Sequence, residues 1–214
     1  MKIGILGSGA VAQALGAGFL KHGHQVLLGS GTPAKLAAWA GQHAGAQVGS
    51  FADAAGFGDI AVLAVKGTAA AQALRAAGAQ RLAGKTVIDA TNPIADAPPV
   101  NGVLQFFTGP NESLLEQLQR EFPQLKLVKA FNSVGHAFMV DPPFKDGPPT
   151  MFICGDDEAA RRTVAGLVRE VGWELADMGP AVAARAIEPL CILWCIPGLQ
   201  RNEWSHAFKL LKLA

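Results

Sequence analysis

The residues best suited to chemistry lie near the start of the chain, in the segment Gly7-Ser8-Gly9-Ala10-Val11-Ala12. The spacing is GxGxxA. The first glycine permits a tight turn, the second lets the backbone approach a diphosphate, and the alanine allows a helix to pack closely on a sheet. A diphosphate there would accept hydrogen bonds from the free N–H groups of the helix N-terminus. An apolar run, residues 2–6, precedes the segment, which is the context that the motif requires. We therefore predict dinucleotide binding, with contacts from Gly7, Ser8, Gly9, Ala10 and Val11.

The end of the next apolar run, residues 25–28, bears on which dinucleotide is bound. An NAD site normally carries Asp or Glu about 20 residues beyond the glycines, but the first acidic residue of this chain is Asp53. The run leads instead into Gly29-Ser30-Gly31-Thr32, and Lys35 follows one turn later. Hydroxyls, open N–H groups and an ammonium suit a 2′-phosphate, which a carboxylate would repel. Ser30, Gly31, Thr32 and Lys35 are thus predicted to bind NADP(H) in preference to NAD(H). The alternative that Ser30 and Thr32 are only turn and cap residues stays open.

Short apolar strands that alternate with helices must position these residues. We predict strands at 2–6, 25–28, 59–65, 85–89, 127–130, 150–154 and 173–177. Predicted helices cover 10–22 and 112–122, and others begin at Thr32-Pro33, Thr68 and Asp156. This alternation is the signature of an α/β fold of Rossmann type, with a doubly wound, mostly parallel sheet.

The C-terminal part of the chain departs from this alternation. From Gly179 onward the sequence is typical of helix, with breaks at Pro189 and again at Pro197-Gly198. We predict two parts: an NAD(P)-binding Rossmann-like domain over 1–178 and a short helical C-terminal extension over 179–214.

Composition and charge limit the possible partners. A net charge of +1 provides no basic surface for DNA, RNA or an anionic membrane. The cysteines Cys154, Cys191 and Cys195 form no CxxC pair, which favours a reducing compartment, and we interpret the last two as small buried residues. The most apolar later stretch, 187–199, is too short to span a bilayer. We therefore expect a cytoplasmic protein with no metal site, no nucleic-acid partner and no membrane segment.

Six segments together carry a resemblance to a known family. They are KIGILGSG at 2–9, LGS at 28–30, IDATNP at 88–93, KAFNSVG at 129–135, FICGDD at 152–157 and ARAIEPL at 184–190. The chain resembles the NADP oxidoreductase, coenzyme F420-dependent family, the NADPH:F420 reductases. It is also similar to the cytosolic NADPH domain of the six-transmembrane ferric reductases.

The resemblance implies direct hydride transfer between NADP(H) and a flat partner, a deazaflavin such as F420 or a flavin. It implies that Ser30 and Lys35 hold the 2′-phosphate, although Gly31 stands where many members have arginine. Val65 and Lys66 would end a strand beside the cofactor, although many members have proline at the second of these positions.

The same resemblance assigns the nicotinamide end of the site. Asn92 and Pro93 would lie near the nicotinamide, and residues 132–135 would line the face across which the hydride passes. Gly135, which has no side chain, would leave room for a planar ring there. Asn132 and Val134 are therefore candidate catalytic residues. His136, just beyond them, is a third candidate that could donate a proton or a hydrogen bond to the reduced acceptor, although a satisfied or surface histidine is the simpler interpretation.

Two other functions remain open from the sequence. A reductase of a small carbonyl or imine would need a substantial helical domain, and only about 35 residues follow Gly179. A redox-sensing module would bind NADP(H) without turnover. We also expect a homodimer, with Trp194 and Trp204 as aromatic anchors of either the core or the dimer interface.

Overall fold

The computed structural model describes residues 1–213, and its centre is a six-stranded parallel sheet. The strands are β1 (Lys2–Leu6), β2 (Gln25–Gly29), β3 (Gln47–Gly49), β4 (Ile60–Leu63), β5 (Thr86–Asp89) and β6 (Lys126–Lys129). Their order in the sheet is β3-β2-β1-β4-β5-β6. This arrangement confirms the predicted Rossmann-type α/β fold.

The strand register brings the ends of four strands to one edge of the sheet. Leu6 pairs with Gly29 on one side and with Leu63 on the other, and Leu63 pairs with Asp89. The segments that follow these strands therefore leave the sheet together. In doubly wound folds, ligands bind at this carboxyl edge, where the strand order reverses, and here the reversal lies between β1 and β4.

Helices cover both faces of the sheet. They are α1 (Ala10–Lys21), α2 (Ala37–Gln42), α3 (Phe51–Phe57), α4 (Ala70–Ala77), α5 (Ala79–Leu82), α6 (Leu114–Glu121), α7 (Glu158–Glu170), α8 (Ala184–Ile187) and α9 (Leu190–Arg201). On one face Ile3 and Ile5 of β1 belong to the same buried cluster as Phe19 of α1. On the other face Leu6 shares a cluster with Leu74 of α4. Because both faces are covered, the strands are continuous apolar runs rather than alternating ones.

The sequence prediction omits β3 and α3. β3 has three residues, of which Gln47 and Val48 are exposed, so no apolar run marks it. Ser50 begins α3 through a capping box: its hydroxyl accepts from the Asp53 N–H at 3.1 Å, and the Asp53 carboxylate accepts from the Ser50 N–H at 2.8 Å.

Two predicted helix starts are wrong. Thr68 lies in the 3₁₀ turn Gly67–Ala69 and caps nothing with its side chain, and α4 begins two residues later. Asp157, rather than Asp156, caps α7 by accepting from the Ala160 N–H at 2.7 Å. Asp156 accepts from the Ala181 N–H at 2.9 Å, a long-range contact that local spacing does not contain.

The last two strands stand apart from the main sheet. β7 (Thr150–Ile153) and β8 (Glu174–Asp177) form a separate parallel pair. An antiparallel bridge between Lys129 and Cys154 joins this pair to the end of β6.

The C-terminal region is helical only as far as Arg201. α9 continues through Pro197, so the predicted break at Pro197-Gly198 is wrong. A β-carbon at Gly198 would lie 2.2 Å from the ring of Trp204, so this glycine serves a tertiary contact. Residues 202–213, here called the C-terminal strap, have no helix and return along β7, where the Thr150 N–H donates to the Phe208 carbonyl at 2.8 Å.

The helical run Ala181–Arg201 has 21 residues and is long and apolar enough to cross a membrane by length and composition alone. The sequence analysis considered only the stretch 187–199, which is too short to span a bilayer, and so underestimated the length of this helical run. Within this run Glu188 is only 1% exposed and forms an ion pair with Lys129 under the sheet edge. Of the run's most apolar 18-residue window, 33% is buried within the described structure.

Candidate dinucleotide and acceptor site

The two glycines of the GxGxxA segment face different surroundings. A β-carbon at Gly7 would lie 2.2 Å from the Ala64 carbonyl oxygen, so this position is closed by the residue that follows β4. A β-carbon at Gly9 would meet no atom within 4 Å. Gly9 is the N-cap of α1, and no acidic residue lies in the first turn of that helix. The N-terminus of α1 therefore presents free N–H groups to open space, which is what a diphosphate requires.

A groove runs from this helix end along the carboxyl edge of the sheet. Its first cavity has a volume of about 410 Å³ and is bordered by Ser8, Gly9, Ala10, Val11, Ala64, Val65, Lys66 and Ala90. A second cavity of about 440 Å³ shares Val11, Val65, Lys66 and Ala90 with the first and reaches Asn92 and Ile94. Both volumes fall within the roughly 300–1,000 Å³ of small-molecule sites. The structure thus brings the predicted residues 8–11, Val65, Lys66 and Asn92 along one continuous groove. Gly7, Pro93 and the predicted 2′-phosphate residues 30–35 border neither cavity.

The end of β2 carries the predicted 2′-phosphate residues. Ser30 is 5% exposed, and its hydroxyl accepts from the Thr32 N–H at 3.1 Å. Gly31, Thr32 and Lys35 are exposed, and a β-carbon at Gly31 would meet nothing within 4 Å. Ser30 therefore shapes the turn, while its own hydroxyl proton stays free to donate.

Asp53, the first acidic residue of the chain, is committed to the capping box of α3. Hydrogen bonds from the Ser50 side chain and backbone lower the pKa of Asp53 below its usual value. The carboxylate is thus engaged in helix capping rather than placed at the end of β2.

The segment after β6 is less open than the sequence suggests. Asn132, Ser133 and Val134 are at most 7% exposed, and Val134 belongs to the core cluster beneath α1. A β-carbon at Gly135 would lie 2.6 Å from the Trp194 ring. The expectation that Gly135 leaves room for a planar ring is therefore wrong, because the Trp194 indole occupies that space. In the part of the chain that the structure describes, residues 132–136 border neither cavity.

Asn132 reaches the groove through Asn92. The Asn92 amide donates to the Asn132 carbonyl at 2.7 Å, and the Asn132 amide donates to Asn92 Oδ1 at 3.0 Å and to the Ile187 carbonyl at 3.1 Å. These bonds clasp the ends of β5 and β6 and fix the orientation of Asn92, which borders the second cavity. His136 is exposed at the start of the 3₁₀ turn His136–Phe138.

A buried ion cluster lies under this edge of the sheet. Lys129 Nζ contacts Asp89 Oδ2 at 2.7 Å, Glu188 Oε1 at 2.9 Å and the Thr91 carbonyl at 2.8 Å. Glu188 also accepts from the backbone N–H groups of residues 114 and 115, at the start of α6. Burial alone lowers the pKa of Lys129, but the two carboxylates outweigh burial and raise it above the usual value. The cluster therefore joins β5, β6, α6 and the C-terminal helices through charged groups.

Reactive thiols and metal ligands do not complete the site. Burial raises the pKa of Cys154 to about 12, so this thiol stays neutral near pH 7. Cys191 is buried, Cys195 is half-buried, and both are free thiols. Among residues 1–213, no three His, Cys, Asp or Glu side chains gather as metal ligands.

Sequence reasoning missed a hairpin that borders the groove. Ile94 pairs with Phe106 and Val100 pairs with Val103 in antiparallel bridges. The two-residue turn, Asn101-Gly102, has positive φ at both positions, as the favoured hairpin turns require. An Asn-Gly pair between apolar residues is the sequence signal that could have revealed it. Residues 94–97 of this hairpin border the second cavity.

Comparison with known proteins places the chain in a family. Residues 2–93 match the family described as NADP oxidoreductase, coenzyme F420-dependent. A solved structure from Arthrobacter sp. FB24, assigned as an F420-dependent NADP-reductase, is 33% identical and superposes with a TM-score of 0.92. The alignment covers 99% of this chain and 100% of that one. The chain belongs to the F420-dependent NADP oxidoreductase family. It is therefore a member of a family of NADP-dependent oxidoreductases.

Two curated relatives of this chain are longer than the chain itself. Metalloreductase STEAP3 of Rattus norvegicus is 32% identical over 202 residues, which cover 92% of this chain and 38% of that protein. F420-dependent NADP reductase of Methanocaldococcus jannaschii is 31% identical over 114 residues, 52% of this chain and 49% of that protein. The matched regions thus span less than half the length of either relative.

More distant solved structures share the fold alone. An imine reductase from Streptomyces aurantiacus superposes with a TM-score of 0.70 but is 16% identical. The alignment covers 93% of this chain and 63% of that one.

Proposed function

We propose that the protein transfers a hydride between NADP(H) and a planar conjugated acceptor, a deazaflavin such as F420 or a flavin. The single observation that carries this proposal is the continuous groove from Gly9 to Asn92. It begins at free helix N–H groups and ends in a cavity with largely apolar walls. Family membership supports the cofactor, since the matched family is one of NADP oxidoreductases.

Residues of the groove, together with the end of β2, fit the parts of NADP(H). The N–H groups of residues 8–11 would hold the diphosphate, for which the open space at Gly9 provides room. Ser30, Gly31, Thr32 and Lys35 would hold the 2′-phosphate. Val65 and Lys66 would flank the cofactor at the end of β4, and Asn92 and Pro93 would position the nicotinamide. Bound there, the nicotinamide supplies or receives the hydride.

The protein's own task in this reaction is orientation and exclusion of water. Val11, Val65, Ala90 and Ile94 give the second cavity its apolar walls. Asn92 is held rigid by the paired amide of Asn132, so we assign Asn132 a positioning role. Val134 would support the same strand end from the core, and His136 remains a candidate proton donor at the surface.

Turnover with an acceptor panel tests the proposal. We expect anaerobic NADPH oxidation with at least one of F420, FMN, riboflavin and menadione, and slower oxidation of NADH. NADPH binding without turnover on any of these acceptors would instead favour the redox-sensing module.

We further propose that the protein works in the cytoplasm as a homodimer with a small-molecule acceptor as its partner, and that residues 1–178 and 179–214 are its two parts. Leu193 on α9 is 55% exposed, and a dimer interface on that side of the helix would cover it. Sedimentation of the purified protein measures the oligomeric state directly.

A further inference from the structure

Two of the three cysteines lie on one turn of α9. Cys191 and Cys195 are four positions apart in this helix, a spacing that places both side chains on the same side. Cys191 is 7% exposed and Cys195 is half-buried, so the pair extends from the core toward the surface. Leu193, the exposed residue between them, lies on the opposite side of the helix. The pair is therefore separate from the interface proposed at Leu193, and it borders neither cavity of the groove.

The two sulfur atoms already interact with each other. The Cys191 thiol donates a hydrogen bond to the Cys195 sulfur, and this bond lowers the pKa of Cys195. The same hydrogen bond, together with burial, raises the pKa of Cys191. Cys195 is therefore the first of the two to ionise, and it is also the one that solvent reaches.

The spacing of the pair disfavours a direct bond between the sulfurs. β-Carbons four positions apart on a helix are separated by about 5–6 Å, whereas a disulfide needs about 3.5–4.5 Å. Closing that bond would distort the turn that carries Trp194, whose ring packs against Gly135 and whose N–H donates to the strap. One interposed ion, with two metal–sulfur bonds of about 2.3 Å each, spans the wider separation while the helix stays intact.

The number of available ligands decides which ion fits. Within residues 1–213, no third His, Cys, Asp or Glu side chain joins the pair as a ligand. Structural zinc takes four ligands, and calcium and magnesium require oxygen. Soft thiolates select Cu(I), an ion that is stable with two ligands in a linear arrangement. The expectation of no metal site concerns ions that need three or four ligands, and a two-coordinate ion lies outside it.

We propose that Cys191 and Cys195 form a two-coordinate site for a soft monovalent cation, Cu(I). Binding forms two copper–sulfur bonds, and the proton of each thiol that is still protonated passes to solvent. No electron is transferred, and copper enters and stays as Cu(I). The bound ion connects successive turns of α9 around Trp194. Because it binds the folded chain, it should also stabilise the fold.

Competition for Cu(I) tests the site. Purified, reduced protein is titrated anaerobically against the Cu(I)–bicinchoninate complex, and we expect one tightly bound Cu(I) per chain. Cys191→Ala and Cys195→Ala each remove one of two ligands and should weaken the Kd about a hundredfold or more. Cys154→Ala removes the remaining thiol of the chain, which is buried elsewhere, and should leave the Kd within about threefold.

A matched variant keeps the number of thiols constant. Cys195→Ala/Leu193→Cys still has three cysteines, but its new thiol lies on the opposite side of α9 from Cys191. It should lose Cu(I) affinity as fully as Cys195→Ala does. Both changes are at positions that are not fully buried, so these variants test the site even if Cys191→Ala does not fold.

Thermal melting provides a second readout that does not depend on the competitor. Cu(I) should raise the melting temperature of the wild type but not that of Cys195→Ala, and Zn²⁺ should raise neither. Equal Cu(I) affinity in the wild type and Cys195→Ala/Leu193→Cys would mean adventitious binding to thiols and would overturn the site. Zn²⁺ binding as tight as Cu(I) binding would also overturn it. So would a disulfide between Cys191 and Cys195 that mass spectrometry detects in protein kept in reduced glutathione. The Kd for NADPH should stay within about twofold in Cys195→Ala, because the pair lies outside the groove.

Discussion

A β-carbon added at Gly7 would lie 2.2 Å from the Ala64 carbonyl oxygen, whereas one added at Gly9 would meet no protein atom within 4 Å. Replacing Gly9 by valine should therefore leave the fold intact and fill the space intended for the diphosphate. We expect the melting temperature to stay within a few degrees and the Kd for NADPH to weaken at least tenfold, or about 1.4 kcal/mol. Calorimetric titration and thermal melting measure the two effects.

Gly7→Ala is the matched control for this prediction. Its methyl group would collide with the Ala64 carbonyl just beyond β4, so Gly7→Ala should lower the melting temperature, whereas Gly9→Val should not. An unchanged NADPH affinity in a folded Gly9→Val protein would show that the cofactor lies elsewhere.

Ser30 decides the choice between the two dinucleotides in our proposal. An aspartate at position 30 can still accept from the Thr32 N–H, as the serine does at 3.1 Å. It can also accept from a ribose hydroxyl, and it repels a 2′-phosphate. A charged hydrogen bond contributes roughly 1.5–3 kcal/mol, so Ser30→Asp should shift the ratio of the Kd values for NADPH and NADH at least tenfold toward NADH. Equal affinities for the two cofactors in the wild type would contradict this assignment.

At the residue scale, the sequence predicts those surroundings that local spacing determines. The closed position of Gly7 and the open position of Gly9 follow from their spacing after a strand. The surroundings of Gly135 do not, because the group that fills its space is Trp194, 59 positions further along the chain. Asn132 likewise meets Asn92 and Ile187, neither of which its neighbours in sequence indicate.

Among the elements, β6 is held by an ion cluster that is closed to solvent. Removing one partner of a buried ion pair leaves an uncompensated charge, which costs about 3–5 kcal/mol. Lys129→Met should therefore lower the free energy of unfolding by about that amount, because Asp89 and Glu188 would lose their shared cation. Chemical denaturation at pH 7 measures the loss.

Lys126→Met is the control on the same strand. Lys126 is 40% exposed and pairs with Asp157, so its replacement should cost less than about 1 kcal/mol. Similar losses of unfolding free energy for both variants would show that the buried cluster stabilises the fold no more than a surface ion pair does.

The same cluster predicts a pH dependence with a definite sign. The folded-state pKa of Lys129 is raised above 10.5, so its contribution is fully present below that value and is lost as the pH rises through the folded pKa. The stability advantage of the wild type over Lys129→Met should therefore persist up to about pH 9 and shrink only above about pH 10.5. If raising the pH to 9 already abolished this difference, Lys129 would not be charged in the folded protein at that pH.

Sequence patterns predicted elements with a strong apolar period and missed those without one. The strands β1, β4 and β5 are buried on both faces and read as continuous apolar runs. β3 is short and partly exposed, so its composition resembles a loop. The rule that proline breaks a helix failed at Pro197.

At the scale of the whole molecule, the C-terminal strap joins the helical region to β7 and β8. The Trp194 indole N–H donates to the His206 carbonyl at 2.8 Å, and the Thr150 N–H donates to the Phe208 carbonyl at 2.8 Å. Lys209 Nζ pairs with Glu174 at 2.6 Å.

Trp194 is buried and Trp204 is 38% exposed, and their rings lie 5.6 Å apart. Within this chain, the two tryptophans therefore anchor the strap to α9.

Deleting residues 203–214 should lower stability without altering cofactor binding. The deletion leaves the buried N–H groups of Thr150 and Trp194 without partners, at about 1–3 kcal/mol each, and uncovers the Trp194 ring. A loss of about 4 kcal/mol should lower the melting temperature by roughly 10 °C in a domain of this size. The Kd for NADPH should stay within about twofold below the new melting temperature, because no strap residue borders the first two cavities among residues 1–213.

Deleting only residues 211–214 is the control: Leu211 and Leu213 are 83% and 102% exposed, so their loss should leave the melting temperature unchanged. If the longer deletion melts at the wild-type temperature, the strap contributes nothing to the fold. If it weakens NADPH binding at temperatures where it is folded, the C-terminal region reaches the cofactor groove after all.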